Sequence, residues 1–234
     1  MCLLNFLIAC GYGVLGQGRK ALGGIITVLL SVMLLSGPIT AQPVTIAALG
    51  DSLTQGYGLP APDGFVPQLG AALAAAGHKV ELINAGVSGD TTAGGLARMD
   101  WTLEPRVQGL IVTLGGNDLL RGLDPKVSRG NLRGILVKAA EKDVQVLLVG
   151  MQAPLNFGPA YKAEFEASYA DLATEFGTLY YPDFMAGLAA EGSLTAVQDL
   201  MQRDGIHPNA AGVALIVADI LPGVVELIER INVQ

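Results

Sequence analysis

The sequence predicts an α/β fold, a three-layer α/β/α sandwich around a parallel sheet. Three observations point there. Short apolar runs alternate with longer stretches of helical spacing, the pattern of a buried parallel sheet and its crossovers. Gly, Asn, Asp and Ser cluster directly after several of those runs, as loops at a sheet edge require. The 234-residue chain is 51% hydrophobic and 15% charged, enough apolar material for a substantial core. Right-handed crossovers then put helices on both faces of the sheet.

The elements follow in order. Val44 to Leu49 is the first strand and runs into Gly50-Asp51-Ser52. Phe65 to Ala76 has helical spacing, with Gly77 as its natural stop. Val80 to Ile83 is the second strand, and Thr92 to Leu103 is a helix stopped before Pro105. Leu110 to Leu114 is the third strand, closed by Gly115-Gly116-Asn117-Asp118. Pro125 to Ala140 is a helix, with Asp124 as N-cap and Pro125 in its first turn. Val144 to Val149 is the fourth strand, Ala160 to Phe176 the next helix, and Leu179 to Tyr181 a brief fifth strand. Asn209 to Ile231 carries the last helix, with Pro222 as a candidate kink. Residues 42–234 show no linker, repeat or low-complexity tract.

Residues 1–41 read as a targeting segment rather than as part of the fold. Arg19 and Lys20 precede an apolar run from Ile25 to Leu35, then Gly37-Pro38 and the small Ala41. That is the order of a secretory signal, and the run is shorter than the roughly 20 residues that span a bilayer. Ile39 is not the usual small residue before a cut, and an uncleaved anchor stays open as the alternative. The apolar stretch Met1 to Leu15 is not needed for export and fits an over-extended start. Leu7 to Cys10 lacks the basic region that a lipoprotein site needs before it. Gly11 to Gly16 matches G-x-G-x-x-G but has no preceding strand and no acidic partner downstream. Cleavage after Ala41 removes Arg19 and Lys20 and no acidic residue, taking the charge from -7 to -9. It also removes Cys2 and Cys10, so the mature protein has no cysteine nucleophile. The expected destination is the periplasm or the medium, with no stable membrane span after cleavage.

The acidic balance argues against a nucleic-acid partner and against docking on anionic lipid. Two histidines and two cysteines are too few for a His-rich or four-thiolate metal site, so no metal or organic cofactor is expected.

In an open α/β sheet the ligand site lies outside the carboxyl ends of the strands. His78, between a helix end and the second strand, falls on the opposite edge and reads as a turn residue. His207, in Asp204-Gly205-Ile206-His207-Pro208-Asn209, precedes the last helix and can reach the site. Ser52 follows the first strand directly. A serine hydroxyl becomes a nucleophile when a base takes its proton, and that base in turn needs a carboxylate to orient it. His207 and Asp204 can supply both. An acyl-transfer site also needs donors for the oxyanion. The Gly89 backbone and the Asn117 side chain stand on two more loops of the same edge. Each of these residues also has a plain turn or cap role. Four loops on one edge, each carrying a needed group, favour the chemical reading. The G-x-S-x-G elbow of other hydrolases is absent.

Gly50-Asp51-Ser52-Leu53, with Gly89, Asn117 and Asp204-x-x-His207, resembles the SGNH (GDSL) hydrolase superfamily. The strings from Gly50 to Gly58, Ser88 to Thr91, Leu114 to Leu119 and Asp204 to Asn209 are similar to the bacterial arylesterase, thioesterase I and lysophospholipase group. The resemblance implies a flavodoxin-like fold with a five-stranded parallel sheet in the order 2-1-3-4-5. It implies Ser52 as nucleophile, His207 as general base and Asp204 as orienting acid. It makes the oxyanion hole from the Ser52 and Gly89 N–H groups and the Asn117 side chain.

The expected substrate is a small-molecule ester or lipid. Aryl esters, thioesters and lysophospholipids all stay open. Leu119, Leu120 and Leu123 after the third strand are candidate pocket residues. So are Leu155, Phe157 and Tyr161 after the fourth. A carbohydrate acetyl esterase on the same machinery is the first alternative, although the single tryptophan, Trp101, does not favour it. A catalytically silent binding module is the second, and it predicts a missing catalytic group where none is missing. The sequence does not indicate an oligomeric state.

Overall fold

The computed structural model describes residues 43–189 and 194–233. The expected targeting segment and its cleavage site lie outside the described residues. Five strands form one sheet: β1 (Val44–Gly50), β2 (Val80–Gly86), β3 (Gly109–Thr113), β4 (Gln145–Val149) and β5 (Leu179–Tyr181). Their order is β2-β1-β3-β4-β5 and every neighbouring pair is parallel. The register aligns Gly50 with Gly86 and with Thr113, so three strands end level at the carboxyl edge.

Side chains alternate across the sheet with the two-residue period of a strand. Ala47, Leu49, Leu110, Val112, Val146 and Leu148 pack on one face. Ile46, Ala48, Ile111, Leu147 and Val149 pack on the other. The first face is covered by α3 (Thr92–Ala97), α4 (Met99–Thr102), α6 (Pro125–Ala140) and α7 (Pro159–Phe176). The second is covered by α2 (Phe65–Ala75) and α10 (Ala210–Val233). Burial on both faces explains why β1 and β3 read as nearly continuous apolar runs. Ile46, Leu49, Leu110 and Ile111 are wholly buried. Each such side chain contributes about 1.5–3 kcal/mol, so the strands that carry the site are the best-anchored part of the sheet.

The caps follow the sequence. Asp124 accepts a hydrogen bond from Lys126 N–H ahead of α6, and Gly177 closes α7 in the left-handed conformation. Two expectations change. The single helix over 92–103 is two helices that meet at Arg98. The Arg98 guanidinium bonds the carbonyls of Gly50 (2.8 Å) and Ala85 (2.6 Å) and the carboxylate of Asp90 (2.7 Å). The chain turns there to bring that side chain under the ends of β1 and β2. Strand β2 runs past Ile83 to Gly86, although Asn84 and Gly86 are not strand formers. It is an edge strand whose pairing to β1 continues regardless. The short helices α1 (Ser52–Gln55), α5 (Gly116–Leu120), α8 (Ala186–Ala189) and α9 (Leu194–Asp199) fall below the window in which periodicity is visible. Helix α10 continues through Pro222, which is exposed. By length and composition α10 could cross a membrane, but its apolar face is part of the second core.

Gly86 shows how tightly the carboxyl edge is packed. A Cβ there would stand 2.3 Å from the Gln55 backbone nitrogen, and backbone cannot swing aside. Gly86→Ala is expected to cost about 1–3 kcal/mol, read as a lowered Tm. An unchanged Tm would mean that α1 is not held against β2.

Candidate active site

Ser52 opens α1 two residues beyond the end of β1, so a fully buried strand delivers it to the carboxyl edge. Asp51 caps that turn. Its Oδ1 accepts from Leu53 N–H at 3.0 Å. Its Oδ2 accepts from the Asn117 amide at 3.2 Å. Burial pushes the Asp51 carboxyl above its ordinary value, against the pull of the Leu53 and Asn117 hydrogen bonds.

His207 approaches from the loop before α10. Its Nε2 lies 2.8 Å from Ser52 Oγ and its Nδ1 lies 2.7 Å from Asp204 Oδ2. Asp204 Oδ1 accepts from the N–H groups of Ile206 (2.9 Å) and His207 (3.0 Å). These bonds, led by the His207 N–H, hold the Asp204 carboxyl down at about 2. Asp204 is therefore an anion at any pH near neutrality and can only accept. It selects the tautomer in which His207 donates from Nδ1, and Nε2 is left to accept the Ser52 O–H. The sign for folding follows from that lowered value. The pairing stabilises the fold in full above 3.8, the ordinary aspartate value, and is lost as the pH falls through about 2.

The loop that carries His207 is itself braced. Gln202 N–H donates to His207 O at 2.7 Å, and Asn209 N–H donates to Leu200 O at 2.8 Å. The Gln202 amide also donates to Tyr57 O (2.9 Å) and Pro208 O (3.0 Å), tying the loop after α1 to the His207 loop. The Tyr57 ring sits 4.9 Å from the imidazole.

Three donors face the same space. Among the described residues, the N–H groups of Ser52 and Gly89 donate to nothing. Gly89 is at φ +84°, a left-handed conformation that glycine adopts without strain. Arg121 holds its carbonyl at 2.8 Å. The Asn117 amide gives one hydrogen to Asp51 and keeps the other. Because Asp51 can only accept when ionised, it fixes which end of the amide is nitrogen.

These groups line one cleft of about 450 Å³. Its walls are mainly apolar: Leu53, Leu119, Leu120, Met151, Phe184 and Met185. A hydroxyl hydrogen-bonded to an imidazole, beside N–H donors and an apolar wall, is an arrangement with which acyl transfer is chemically feasible.

Comparison with known proteins gives the family. The model of the GDSL-like lipase/acylhydrolase family matches residues 48–215. The chain belongs to that family. Esterase TesA of Pseudomonas aeruginosa is 38% identical over 194 residues, covering 82% of this chain and 92% of the relative. The thioesterase 1/protease 1/lysophospholipase L1 of Escherichia coli strain K12 is 36% identical over 166 residues, covering 70% and 76%. The crystal structure of the psychrotrophic esterase EstA from Pseudoalteromonas sp. superposes with a TM-score of 0.71 at 31% identity, covering 79% and 98%. This member of the GDSL-like family is an ester-hydrolysing enzyme whose substrates are small-molecule esters.

Not every candidate pocket residue of this GDSL-like chain reaches the cleft. Leu119 and Leu120 line it; Leu123, Leu155, Phe157 and Tyr161 do not. The Phe157 ring packs against Tyr161 in a tilted pair with centroids 5.0 Å apart, and the Tyr161 hydroxyl donates to Leu123 O at 2.9 Å. These residues bind one loop to another. Sequence reading missed the wall that follows β5, formed by Asp183, Phe184 and Met185. The carboxyl-edge rule points there too, but β5 has only three residues and drew no attention to its loop. Gln202 and Arg98 were also missed, since nothing local marks a side chain that braces distant backbone.

Proposed function

We propose that this protein is a serine esterase that works through an acyl-Ser52 intermediate. The observation that carries the reading is the unbroken chain of hydrogen bonds from Ser52 through His207 to Asp204, at 2.8 Å and 2.7 Å, opening on an apolar cleft. Ser52 Oγ attacks the ester carbonyl while His207 Nε2 takes its proton. The N–H groups of Ser52 and Gly89 and the free hydrogen of the Asn117 amide receive the oxyanion. His207, now protonated, gives its proton to the leaving alcohol as the tetrahedral centre collapses. A water then attacks the acyl-Ser52, with His207 again as base, and the acid departs. Every step is a proton or acyl transfer, so the mechanism calls for no metal or organic cofactor. Inhibition of the Pseudoalteromonas esterase EstA by monoethylphosphonate supports the same reading.

The apolar walls of the cleft favour acyl or aryl esters over polysaccharide. Trp101, the single tryptophan, lies on α4 and does not line the cleft, and among the described residues the exposed aromatic in the wall is Tyr57 alone. We also propose export, from the order of charge, apolar run and small residue in residues 1–41.

The test is p-nitrophenyl ester hydrolysis by the full chain, from acetyl to palmitoyl. The expected result is turnover with a chain-length optimum set by the cleft. Turnover no greater than that of Ser52→Ala on every ester would overturn the proposal. Asn117→Ala is expected to lower kcat by about 10²–10³-fold with little change in KM, because the amide bonds charge that exists only in the transition state. A loss confined to KM would assign Asn117 to substrate binding instead.

A further inference from the structure

We propose that Asp183 forms a cation subsite in the cleft wall, so that the enzyme favours esters bearing a fixed positive charge over neutral esters of the same shape. The inference rests on the esterase reading and deepens it by naming a substrate class.

The ionisable side chains among the described lining residues are Asp51, Tyr57, Asp183 and His207, with neither lysine nor arginine. Asp51 has both oxygens engaged, by Leu53 and Asn117. His207 is held between Ser52 and Asp204. Asp183 is different. Its Oδ1 accepts from Met185 N–H at 3.1 Å, which turns the chain into α8. Its Oδ2 receives no hydrogen bond from a described residue. Nor is that oxygen sealed off: among the described residues, the buried side-chain polar atom without a partner is Thr178 Oγ1.

Among the described residues, the surroundings of Asp183 lack a free counter-ion. Burial raises its carboxyl above the ordinary value, and Glu166 and Asp219 push in the same direction. Lys162 is the cation that opposes them, but its ammonium already donates to Ala153 O at 2.8 Å and to Glu166. A carboxylate in this position gains by meeting a positive charge brought in by the substrate. The neighbours Met151, Phe184 and Met185 are apolar, which suits a cation with a methylated surface, such as a quaternary ammonium. The same wall repels anionic esters.

The experiment compares kcat/KM within two isosteric pairs, one for each side of the scissile bond. Butyrylcholine against 3,3-dimethylbutyl butyrate places the charge on the alcohol. p-Nitrophenyl 4-(trimethylammonio)butyrate against p-nitrophenyl 5,5-dimethylhexanoate places it on the acid. The expected result is a preference of about 5-fold or more for the cationic member of at least one pair. Asp183→Asn keeps an oxygen for Met185 N–H and is expected to bring that ratio close to one. Asp183→Ser serves if the first variant does not fold. A ratio of one or less in both pairs, or a preference that survives both variants, overturns the inference. Hydrolysis of neither member of either pair would count against the esterase reading instead. The subsite is then read without turnover, as calorimetric binding of phenyltrimethylammonium to the Ser52→Ala protein. Binding weakened about 5-fold or more by adding Asp183→Asn supports it, and binding absent or unchanged overturns it.

Discussion

Ser52→Ala and His207→Ala are each expected to lower kcat/KM by about 10⁴-fold or more, and the double variant is expected to be no worse than either alone. The reason lies in the 2.8 Å contact between Nε2 and Oγ. Without the imidazole the hydroxyl keeps its proton and is a poor nucleophile. Without the hydroxyl the imidazole has nothing to activate in the acylation step. Both side chains serve one event, so removing the second costs nothing further. Ser52 is only partly buried, so trimming its hydroxyl leaves the fold in place and Tm serves as the control. Losses that multiply in the double variant would mean that the two residues act in separate steps.

Asp204→Asn is expected to lower kcat by about 10²–10⁴-fold while leaving Tm within a few degrees at neutral pH. An asparagine carbonyl can still accept from the Ile206 and His207 N–H groups, so the loop keeps its shape. The amide NH2, however, can face His207 Nδ1 and donate to it. The ring then carries its proton on Nε2 and offers Ser52 a donor where it needs an acceptor. Asp204 is ionised down to about pH 2, so the loss reflects the wrong tautomer rather than a changed titration of residue 204. Activity within 10-fold of the wild type would mean that the backbone bonds to Asp204, and not its charge, are what His207 needs.

Much of this was legible in the sequence because the informative features are local. Apolar runs bounded by Gly, Asn and Asp marked the strands. The rule that sites lie at the carboxyl ends of strands picked Ser52 and His207 and set His78 aside. The structure brings Ser52, His207 and Asp204 into one line of hydrogen bonds, with Gly89 and Asn117 facing the same cleft. The less legible parts depend on tertiary packing. Leu155, Phe157 and Tyr161 are apolar and follow β4, yet Phe157 packs on Tyr161, the Tyr161 hydroxyl bonds Leu123 O, and Leu155 stays exposed. Phe184 and Met185 enter the wall because Phe184 N–H bonds Gly150 O at 3.0 Å, folding the loop after β5 back to the end of β4. No spacing in the sequence encodes that return. Arg98 breaks a predicted helix for the same kind of reason, since it bonds the ends of β1 and β2 and the loop before α3.

The measurement that bears most directly on Ser52 as the nucleophile is the site of covalent attachment of a p-nitrophenyl alkylphosphonate, located by peptide mass spectrometry. A serine that attacks the phosphorus of such a compound displaces p-nitrophenolate and keeps the phosphonyl group, which stands in for the tetrahedral intermediate. The expected result is one adduct per chain, on Ser52, formed in step with the loss of esterase activity and absent from His207→Ala. Inactivation with the label on another residue, or full activity retained by a chain labelled on Ser52, would contradict it.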